Sequence, residues 1–240
     1  MKLRTVMNKI LIVAATYHEI KFLEKFGLKP NSEDAFCYQF KKDKTEFNVL
    51  VTGVGVVATT FHITRMLLAI QYELVINTGI AGVFEKSIPL GTIVNIINDS
   101  FADVGAEDGD DFISVFDLGI ADCNEFPFDR GILLNKSEIP LKCIQKLQGV
   151  NGITVNKTHG NDVSIEELLI RQSTKNYRPV TESMEGAAIA YVCSMLNVPY
   201  VQVRSISNYI ERRNRSAWKV QEALTNLEGF FNELITEISI

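Results

Sequence analysis

The sequence lacks the residue patterns that disulfide frameworks and metal sites require. Its 240 residues include four cysteines and three histidines, and the histidines share no spacing typical of metal ligands. No CxxC pair occurs among Cys37, Cys123, Cys143 and Cys193. Disulfide-stapled and zinc-binding chains show paired cysteines at regular spacings. We therefore expect reduced cysteines that serve in packing, and no metal site.

Long apolar runs and runs of like charge are also missing. The apolar stretch at residues 10–15 is far shorter than the roughly 20 residues that span a bilayer. The 24 Lys and Arg residues and 29 Asp and Glu residues give a net charge of -5, with no basic run that would bind a phosphate backbone. The amino terminus has no signal-peptide core. We expect a cytoplasmic protein whose partners include neither nucleic acid nor membrane.

Strand and helix patterns alternate along most of the chain. Residues 1–8 show no periodicity and are predicted to be a flexible head, and residues 9–240 are predicted to be one domain. Predicted strands cover residues 10–15, 36–40, 46–51, 74–77, 91–97, 152–156 and 199–203. Predicted helices cover residues 17–26, 56–70, 184–196 and 216–238, and another begins near Ser164. This alternation favours an α/β fold with helices on both faces of the sheet, interrupted by a helix-free excursion at residues 99–136.

Three polar residues follow predicted strands, where ligands bind in open α/β sheets. Glu19 lies one turn past the first strand, Glu185 opens a helix, and Asn208 follows the last strand. Taken singly, the two glutamates are typical of solvated or dipole-pairing carboxylates in first turns, and Asn208 is typical of a turn. Their combination at strand ends favours a ligand site.

Two glycine segments also follow strands. Residues 53–55 (GVG) match neither the GxGxxG pattern of dinucleotide sites nor a P-loop, so they need be no more than a tight turn. Residues 79–82 (GIAG) place two glycines around small side chains. A flat ligand can then lie close to backbone N–H and C=O groups, which is one way to recognise the edge of a base.

Five motifs resemble the purine nucleoside phosphorylase and nucleosidase superfamily, in order and over nearly the whole chain. They are Glu19, VGVVA at 54–58, NTGIAG at 77–82, SMEGAA at 183–188 and VRSISN at 203–208. The resemblance implies a single-domain, three-layer α/β/α fold with a central mixed twisted sheet. FADVGAEDG at 101–109, SISNY at 205–209 and RNRSAW at 213–218 are most similar to the futalosine hydrolases of menaquinone biosynthesis, which release hypoxanthine from futalosine.

The resemblance implies a role for each candidate residue in cleaving an N-glycosidic bond, with no cofactor. Glu185 would bind the ribose hydroxyls beside the developing positive charge, Glu19 would hold and deprotonate the attacking water, and Asn208 would stabilise the departing base. Met184 would pack on the sugar face. The further substrate-binding residues are expected to be Ile80, Ala81, Gly82, Asp162, Val163 and Ser183.

Asn208 itself carries information about the base. The adenine-specific nucleosidases of this superfamily have Asp at this position. An amide accepts a hydrogen bond from a protonated N7 and donates one to a 6-carbonyl oxygen, whereas a protonated Asp donates to N7 and accepts from a 6-amino group. Asn208 therefore predicts a 6-oxopurine, and hypoxanthine is one.

Three alternatives remain at this point. A methylthioadenosine/adenosylhomocysteine nucleosidase would share the fold and the two glutamates. A phosphorylase would use phosphate in place of water, although residues 52–60 contain no Lys or Arg and Arg65 is the nearest cation in that helix. A nucleoside-binding protein without turnover would need neither glutamate.

Two features beyond the reaction centre lead to further expectations. Arg213 and Arg215 follow Asn208 closely, so one of them is predicted to bind the carboxylate that futalosine carries on its 5′ extension; a solvated helix flank is the alternative.

The resemblance also implies a homodimer or higher homo-oligomer. The aromatic excursion at residues 101–128 is compatible either with an interface over the neighbouring site or with a packed surface loop.

Overall fold

The computed structural model describes residues 7–109, 111–174 and 177–239. Most of the predicted flexible head, residues 1–6, therefore lies outside the described residues. The strands are β1 (Lys9–Ala14), β2 (Lys29–Pro30), β3 (Cys37–Lys42), β4 (Thr45–Val51), β5 (Leu74–Val83), β6 (Ile93–Asp99), β7 (Gly105–Asp108), β8 (Asp111–Ser114), β9 (Phe128–Asp129), β10 (Ile132–Leu134), β11 (Gln148–Thr154), β12 (Thr181–Ser183) and β13 (Tyr200–Tyr209). The α-helices are α1 (Val56–Ala69), α2 (Lys142–Gln145), α3 (Asp162–Thr174), α4 (Gly186–Met195) and α5 (Val220–Ser239). Short 3₁₀ turns lie at Tyr17–Glu19, Lys21–Phe26 and Arg215–Ala217.

One mixed sheet of eleven strands organises the described chain, and part of it closes on itself. Its order is β2-β3-β4-β1-β5-β12-β11-β6-β10-β9, and β13 pairs with both β5 and β6. Because β12 joins β5 to β11, the strands β5, β13, β6, β11 and β12 form a closed ring. The hairpin β7-β8 stands apart from this sheet.

Helices cover both faces of the sheet, as the alternating side chains of β1 show. Ile10 and Ile12 belong to a core with the apolar stripe of α5. Leu11 and Val13 point the other way, into a core shared with α1 and α4. The predicted three-layer α/β/α fold is therefore confirmed. The apolar stripe of α5 is buried along the length of the helix, at Ala223, Leu224, Leu227, Phe231, Leu234 and Ile238.

Two strands run further than the sequence pattern predicts. The apolar runs end near Asn77 and Val203, but β5 and β13 continue to residues 83 and 209. The two strands pair in parallel from Tyr200 opposite Val75 to Tyr209 opposite Val83. This pairing holds the small and polar motif residues in extended backbone, so both motifs lie on neighbouring strands.

The predicted helix over residues 17–26 is wrong. Two 3₁₀ turns replace it, separated at Ile20, whose backbone (φ -120°) leaves helical geometry. The first turn is fixed by Glu19, whose carboxylate accepts hydrogen bonds from both the backbone N and the hydroxyl of Thr16. Gly27 closes the second turn in a left-handed conformation (φ 82°).

The excursion at residues 99–136 is packed against the sheet and has no helix at its described positions. Strand β10 pairs with β6 and with β9. The Phe128 ring contacts the rings of Phe116 and Tyr191, at centroid distances of 5.3 and 5.8 Å. No helix in the described part of the chain is both long enough and apolar enough to cross a bilayer.

Candidate active site

Glu19 is fixed at the carboxyl end of the sheet, beside the extended part of β5. Its Oε1 accepts a hydrogen bond from the backbone N of Ile80 at 3.2 Å, and its Oε2 accepts from Thr16 N at 2.9 Å. A Cβ atom on Gly79 would lie 2.5 Å from Oε1, so only glycine lets the carboxylate approach so closely. Glu19 is half-buried and therefore still accessible to a ligand.

Glu185 reaches the same region from the N-cap position of α4. Its Oε1 accepts a hydrogen bond from the backbone N of Gly55 at 2.9 Å. Burial raises the pKa of Glu185, with a smaller contribution from the charge of Glu19, while the Gly55 amide and the Arg204 charge act against this rise. The two candidate carboxylates are therefore close enough to influence each other electrostatically.

Arg204 is a buried charged residue beside the candidate site that the sequence analysis did not single out. It lies on β13, is 2% exposed, and donates a hydrogen bond to the carbonyl of Val203 at 3.1 Å. Burial lowers its pKa, and the carboxylates of Glu185, Glu19 and Asp99 oppose that shift. A guanidinium keeps its charge under such conditions. The sequence did contain one sign of this buried charge: Arg204 is the single charged residue in the otherwise uncharged strand segment YVQVRSIS.

Asn208 lies near the end of β13, where a register shift brings it opposite Gly82 of β5. Its Oδ1 accepts a hydrogen bond from the Ser207 hydroxyl at 2.8 Å, and its Nδ2 donates to the carbonyl of Tyr209 at 3.1 Å. The Ser207 hydroxyl also lies 3.2 Å from the carbonyl oxygen of Ala81. The side chain of Asn208 is thus held beside the GIAG segment and remains half-buried.

The expected base and ribose segments meet on neighbouring strands. Strand β12 runs antiparallel to β5 with Glu182 opposite Gly82, so Ser183 and Met184 continue back toward residues 80–81. Ala81 is buried, whereas Ile80, Ser183 and Met184 are half-buried. The structure therefore brings Glu19, Glu185 and Asn208 to one edge together with residues 80–82 and 183–184.

Asp162 and Val163 are not brought into this group by any described contact. Both are exposed in the first turn of α3, Val163 at 62%. Asn161 caps that turn, because its Oδ1 accepts a hydrogen bond from Val163 N at 3.0 Å. Their expected contact with a base stays a prediction.

The loop before α3 reaches the site through a different pair, His159 and Glu182. The carboxylate of Glu182, which is 5% exposed, accepts a hydrogen bond from the backbone N of His159 at 2.9 Å and also contacts the imidazole Nδ1. The carbonyl of Gly160 accepts a hydrogen bond from Arg213 N at 3.0 Å. Sequence spacing gave no sign of either contact, because each joins distant segments.

Arg213 and Arg215 are both exposed beyond the end of β13. The Arg213 guanidinium lies over the ring of Trp218, 5.3 Å from its centroid. Arg215 begins a 3₁₀ turn. Neither side chain has a described contact with Glu19 or Glu185, so their role in substrate binding stays a prediction. Within the described residues, no three His, Cys, Asp or Glu side chains are grouped to hold a metal ion.

Comparison with known proteins assigns the chain to a family. The sequence profile of the Phosphorylase superfamily matches residues 9–136 and 170–238. Futalosine hydrolase of Acidothermus cellulolyticus is 34% identical over 78% of this chain and 74% of its own length. Futalosine hydrolase of Streptomyces coelicolor is 29% identical over 68% of this chain, which spans 65% of that relative's length.

Nucleosidases of a second kind are also similar. The 5′-methylthioadenosine/S-adenosylhomocysteine nucleosidase of Glaesserella parasuis is 28% identical over 86% of this chain and 88% of its own length. The crystal structure of the Neisseria meningitidis nucleosidase of that name superposes with a TM-score of 0.77 at 18% identity, covering 95% of this chain and 98% of the other. The chain belongs to the phosphorylase superfamily, as an enzyme of its hydrolytic nucleosidase group.

Proposed function

We propose that the chain hydrolyses the N-glycosidic bond of futalosine and releases hypoxanthine and dehypoxanthine futalosine, a step of menaquinone biosynthesis. One observation carries the proposal: Glu19, Glu185 and Asn208 converge at one sheet edge, on either side of the GIAG segment. The buried charge of Arg204 acts on both glutamates. This edge offers carboxylates for the sugar and for water, and an amide for the base.

The reaction assigned to these groups balances as a displacement by water. The water oxygen bonds to C1′ of the ribose and gives a proton to Glu19, while the electron pair of the C1′–N9 bond leaves with the base. Glu185 binds the ribose hydroxyls, and its carboxylate stabilises the positive charge that develops on the sugar. The departing base takes up a proton at N7 from solvent water, and Glu19 later returns its own proton to solvent, so protons balance. The Oδ1 of Asn208 accepts a hydrogen bond from that N7–H.

The choice of a 6-oxopurine rests on Asn208. Its Nδ2 donates to a 6-carbonyl oxygen and would meet another donor on a 6-amino base. A site that leaves such a group unpaired discriminates strongly against the wrong base. The two futalosine hydrolase relatives support this substrate. The similarity to the methylthioadenosine nucleosidases keeps 6-aminopurine nucleosides as the second candidate.

The charges at the site favour water over phosphate as the nucleophile. Arg204 is surrounded by the charges of Glu185, Glu19 and Asp99. A phosphate dianion would meet a net negative environment there, whereas a neutral water would not. Arg65, the nearest cation within the helix that follows the glycine turn, forms an ion pair with Asp34 at 2.6 Å. Phosphorolysis therefore has little support.

The homodimer expected from the resemblance has a suitable surface. The side chains of Val57, Phe61 and Leu68 on α1 are 82%, 62% and 70% exposed, and Val54 just before the helix is 57% exposed. Monomers rarely expose such a group of large apolar side chains. We propose that a second copy of the chain covers them. Sedimentation of the parent and of Phe61→Glu tests this, because the substitution should yield monomers.

We also propose a cytoplasmic location, which cell fractionation tests.

One experiment tests the proposed function and its alternatives. The purified protein is offered futalosine, inosine, methylthioadenosine and adenosylhomocysteine, each with and without phosphate, and free base is measured. We expect phosphate-independent release of hypoxanthine, fastest from futalosine. Release that requires phosphate would identify a phosphorylase, release mainly of adenine would identify the other nucleosidase, and binding without release in a single turnover would identify a binding protein.

A further inference from the structure

Asp99 is a buried carboxylate that the proposed reaction does not use. It ends β6, is 2% exposed, and accepts three hydrogen bonds. Its Oδ1 accepts from Ser100 N at 2.9 Å and from the Thr154 hydroxyl at 3.0 Å, and its Oδ2 accepts from the Gln202 side chain at 3.3 Å. A buried carboxylate with this many partners is held in one orientation.

The hydrogen bonds continue from Asp99 to the helix that carries Glu185. The Thr154 hydroxyl, which donates to Asp99, accepts a hydrogen bond from the backbone N of Ala187 at 2.7 Å. On the other side, the side-chain oxygen Oε1 of Gln202 accepts a hydrogen bond from Nδ2 of Asn77 at 3.0 Å. The network thus connects β5, β6, β11 and β13 to the first turn of α4.

Close packing fixes the same turn. An ideal Cβ atom on Gly186 would lie 2.2 Å from the Oδ2 of Asp99 and 2.7 Å from the side-chain oxygen of Gln202. The backbone that directly follows Glu185 therefore lies against the Asp99 carboxylate. A shift of Asp99 or Thr154 would change where α4 begins, and the side chain of Glu185 would move with it.

Electrostatics give Asp99 a second connection to the site. Its charge acts on Arg204, together with the charges of Glu185 and Glu19. Burial raises the pKa of Asp99 to about 6, and the hydrogen bonds from Thr154 and Gln202 and the charge of Arg204 limit that rise. Asp99 is therefore coupled electrostatically to the same guanidinium as Glu185 and Glu19.

We propose that Asp99 and Thr154 are positioning residues, which hold the start of α4 so that Glu185 meets the ribose hydroxyls in the orientation that cleavage requires. This inference rests on the proposed function, because it concerns how Glu185 acts there. Neither residue needs to touch the substrate. Their effect is transmitted by the backbone of residues 186–187 and is specific to the interaction that Glu185 makes.

A comparison of futalosine with 2′-deoxyfutalosine isolates that interaction. The parent protein should prefer futalosine, because Glu185 binds the hydroxyl that the deoxy compound lacks. Thr154→Val removes the hydroxyl at constant shape, and Thr154→Ser keeps it as the matched control. We expect Thr154→Val to lower the ratio of kcat/KM for the two substrates about tenfold, because a small misplacement of a catalytic group is costly. Thr154→Ser should keep the parental ratio.

The outcomes separate the inference from the proposed function. Equal losses on both substrates in Thr154→Val, or the same change in Thr154→Ser, would overturn the positioning role while leaving the hydrolase intact. If circular dichroism shows that Thr154→Val does not fold, the ratio of kcat/KM for the two substrates is measured for Asp99→Asn instead. A parental ratio in Asp99→Asn would overturn the inference. A parent protein that releases no base from either substrate would overturn the proposed function and this inference together.

Discussion

Replacing Gly186 by alanine should destabilise the protein, although the same change usually stabilises a helix. Alanine is favoured over glycine by up to about 1 kcal/mol in helices. Here the added Cβ atom would lie 2.2 Å from the Oδ2 of Asp99. Carbon and oxygen normally approach no closer than about 3.3 Å. The carboxylate or the helix must therefore move by about 1 Å.

The magnitude follows from what that movement breaks. Asp99 is short and buried, so it cannot swing aside as a long exposed side chain would. Overpacking in a core costs about 1 to 3 kcal/mol, and each hydrogen bond to a charged group contributes about 1.5 to 3 kcal/mol. After subtracting the gain in helix propensity, we expect the free energy of unfolding to fall by about 3 kcal/mol.

Urea unfolding followed by circular dichroism measures this change, with Gly229→Ala as the matched control. Gly229 lies on the exposed side of α5, and a Cβ atom there would have no neighbour within 4 Å. The control should be as stable as the parent or more stable by up to about 1 kcal/mol. A Gly186→Ala protein with parental stability would refute the tight packing of Asp99 against α4.

Three further predictions concern catalysis and specificity. Glu19→Gln and Glu185→Gln should each reduce base release about a hundredfold or more while the protein stays folded, because each loses a carboxylate that acts in the reaction; near-parental turnover removes that residue from the mechanism. Asn208→Asp should move the rate ratio of inosine to adenosine toward adenosine, since an acceptor or an acid replaces the amide donor; an unchanged ratio means that Asn208 does not contact the base edge. Arg213→Ala or Arg215→Ala should lower kcat/KM for futalosine about tenfold or more and leave inosine unaffected, because only futalosine carries the carboxylate; equal losses on both substrates, or none, count against the contact.

Matched controls for these variants exist within the chain. Glu166 is exposed on α3, so Glu166→Gln removes a carboxylate without affecting the site. Arg212 is exposed and directly precedes Arg213, so Arg212→Ala tests whether any cation in this segment is sufficient. Loss of activity in either control would show that the effects reflect net charge rather than the assigned contacts.

The sequence predicted the elements whose signal is local. Strand β1 and helix α5 were predicted closely, because each has a hydrophobic pattern that repeats within one element. The helix predicted over residues 17–26 was wrong. The carboxylate of Glu19 accepts hydrogen bonds from Thr16 and Ile80, and hydrophobic periodicity carries no information about such contacts.

The parts of the site that escaped prediction depend on contacts between distant segments. The ring closes through β12, a strand of three residues with no periodicity to detect. Arg204 interacts with carboxylates on three other segments, and Glu182 is paired with a histidine 23 residues away. Glu19, Glu185 and Asn208 were singled out because they follow predicted strands and lie in motifs, and the structure brings them to one edge of the sheet.

The ends of the large sheet limit how this protein can associate. An exposed edge strand is a template on which another chain can pair. The outermost strands, β2 and β9, have only two residues each, and Pro30 in β2 has no backbone N–H to donate. Along the described sheet, a foreign strand therefore finds little backbone to bind. We expect copies of the chain to associate through side chains, and native protein at high concentration to resist the strand addition that begins cross-β aggregation.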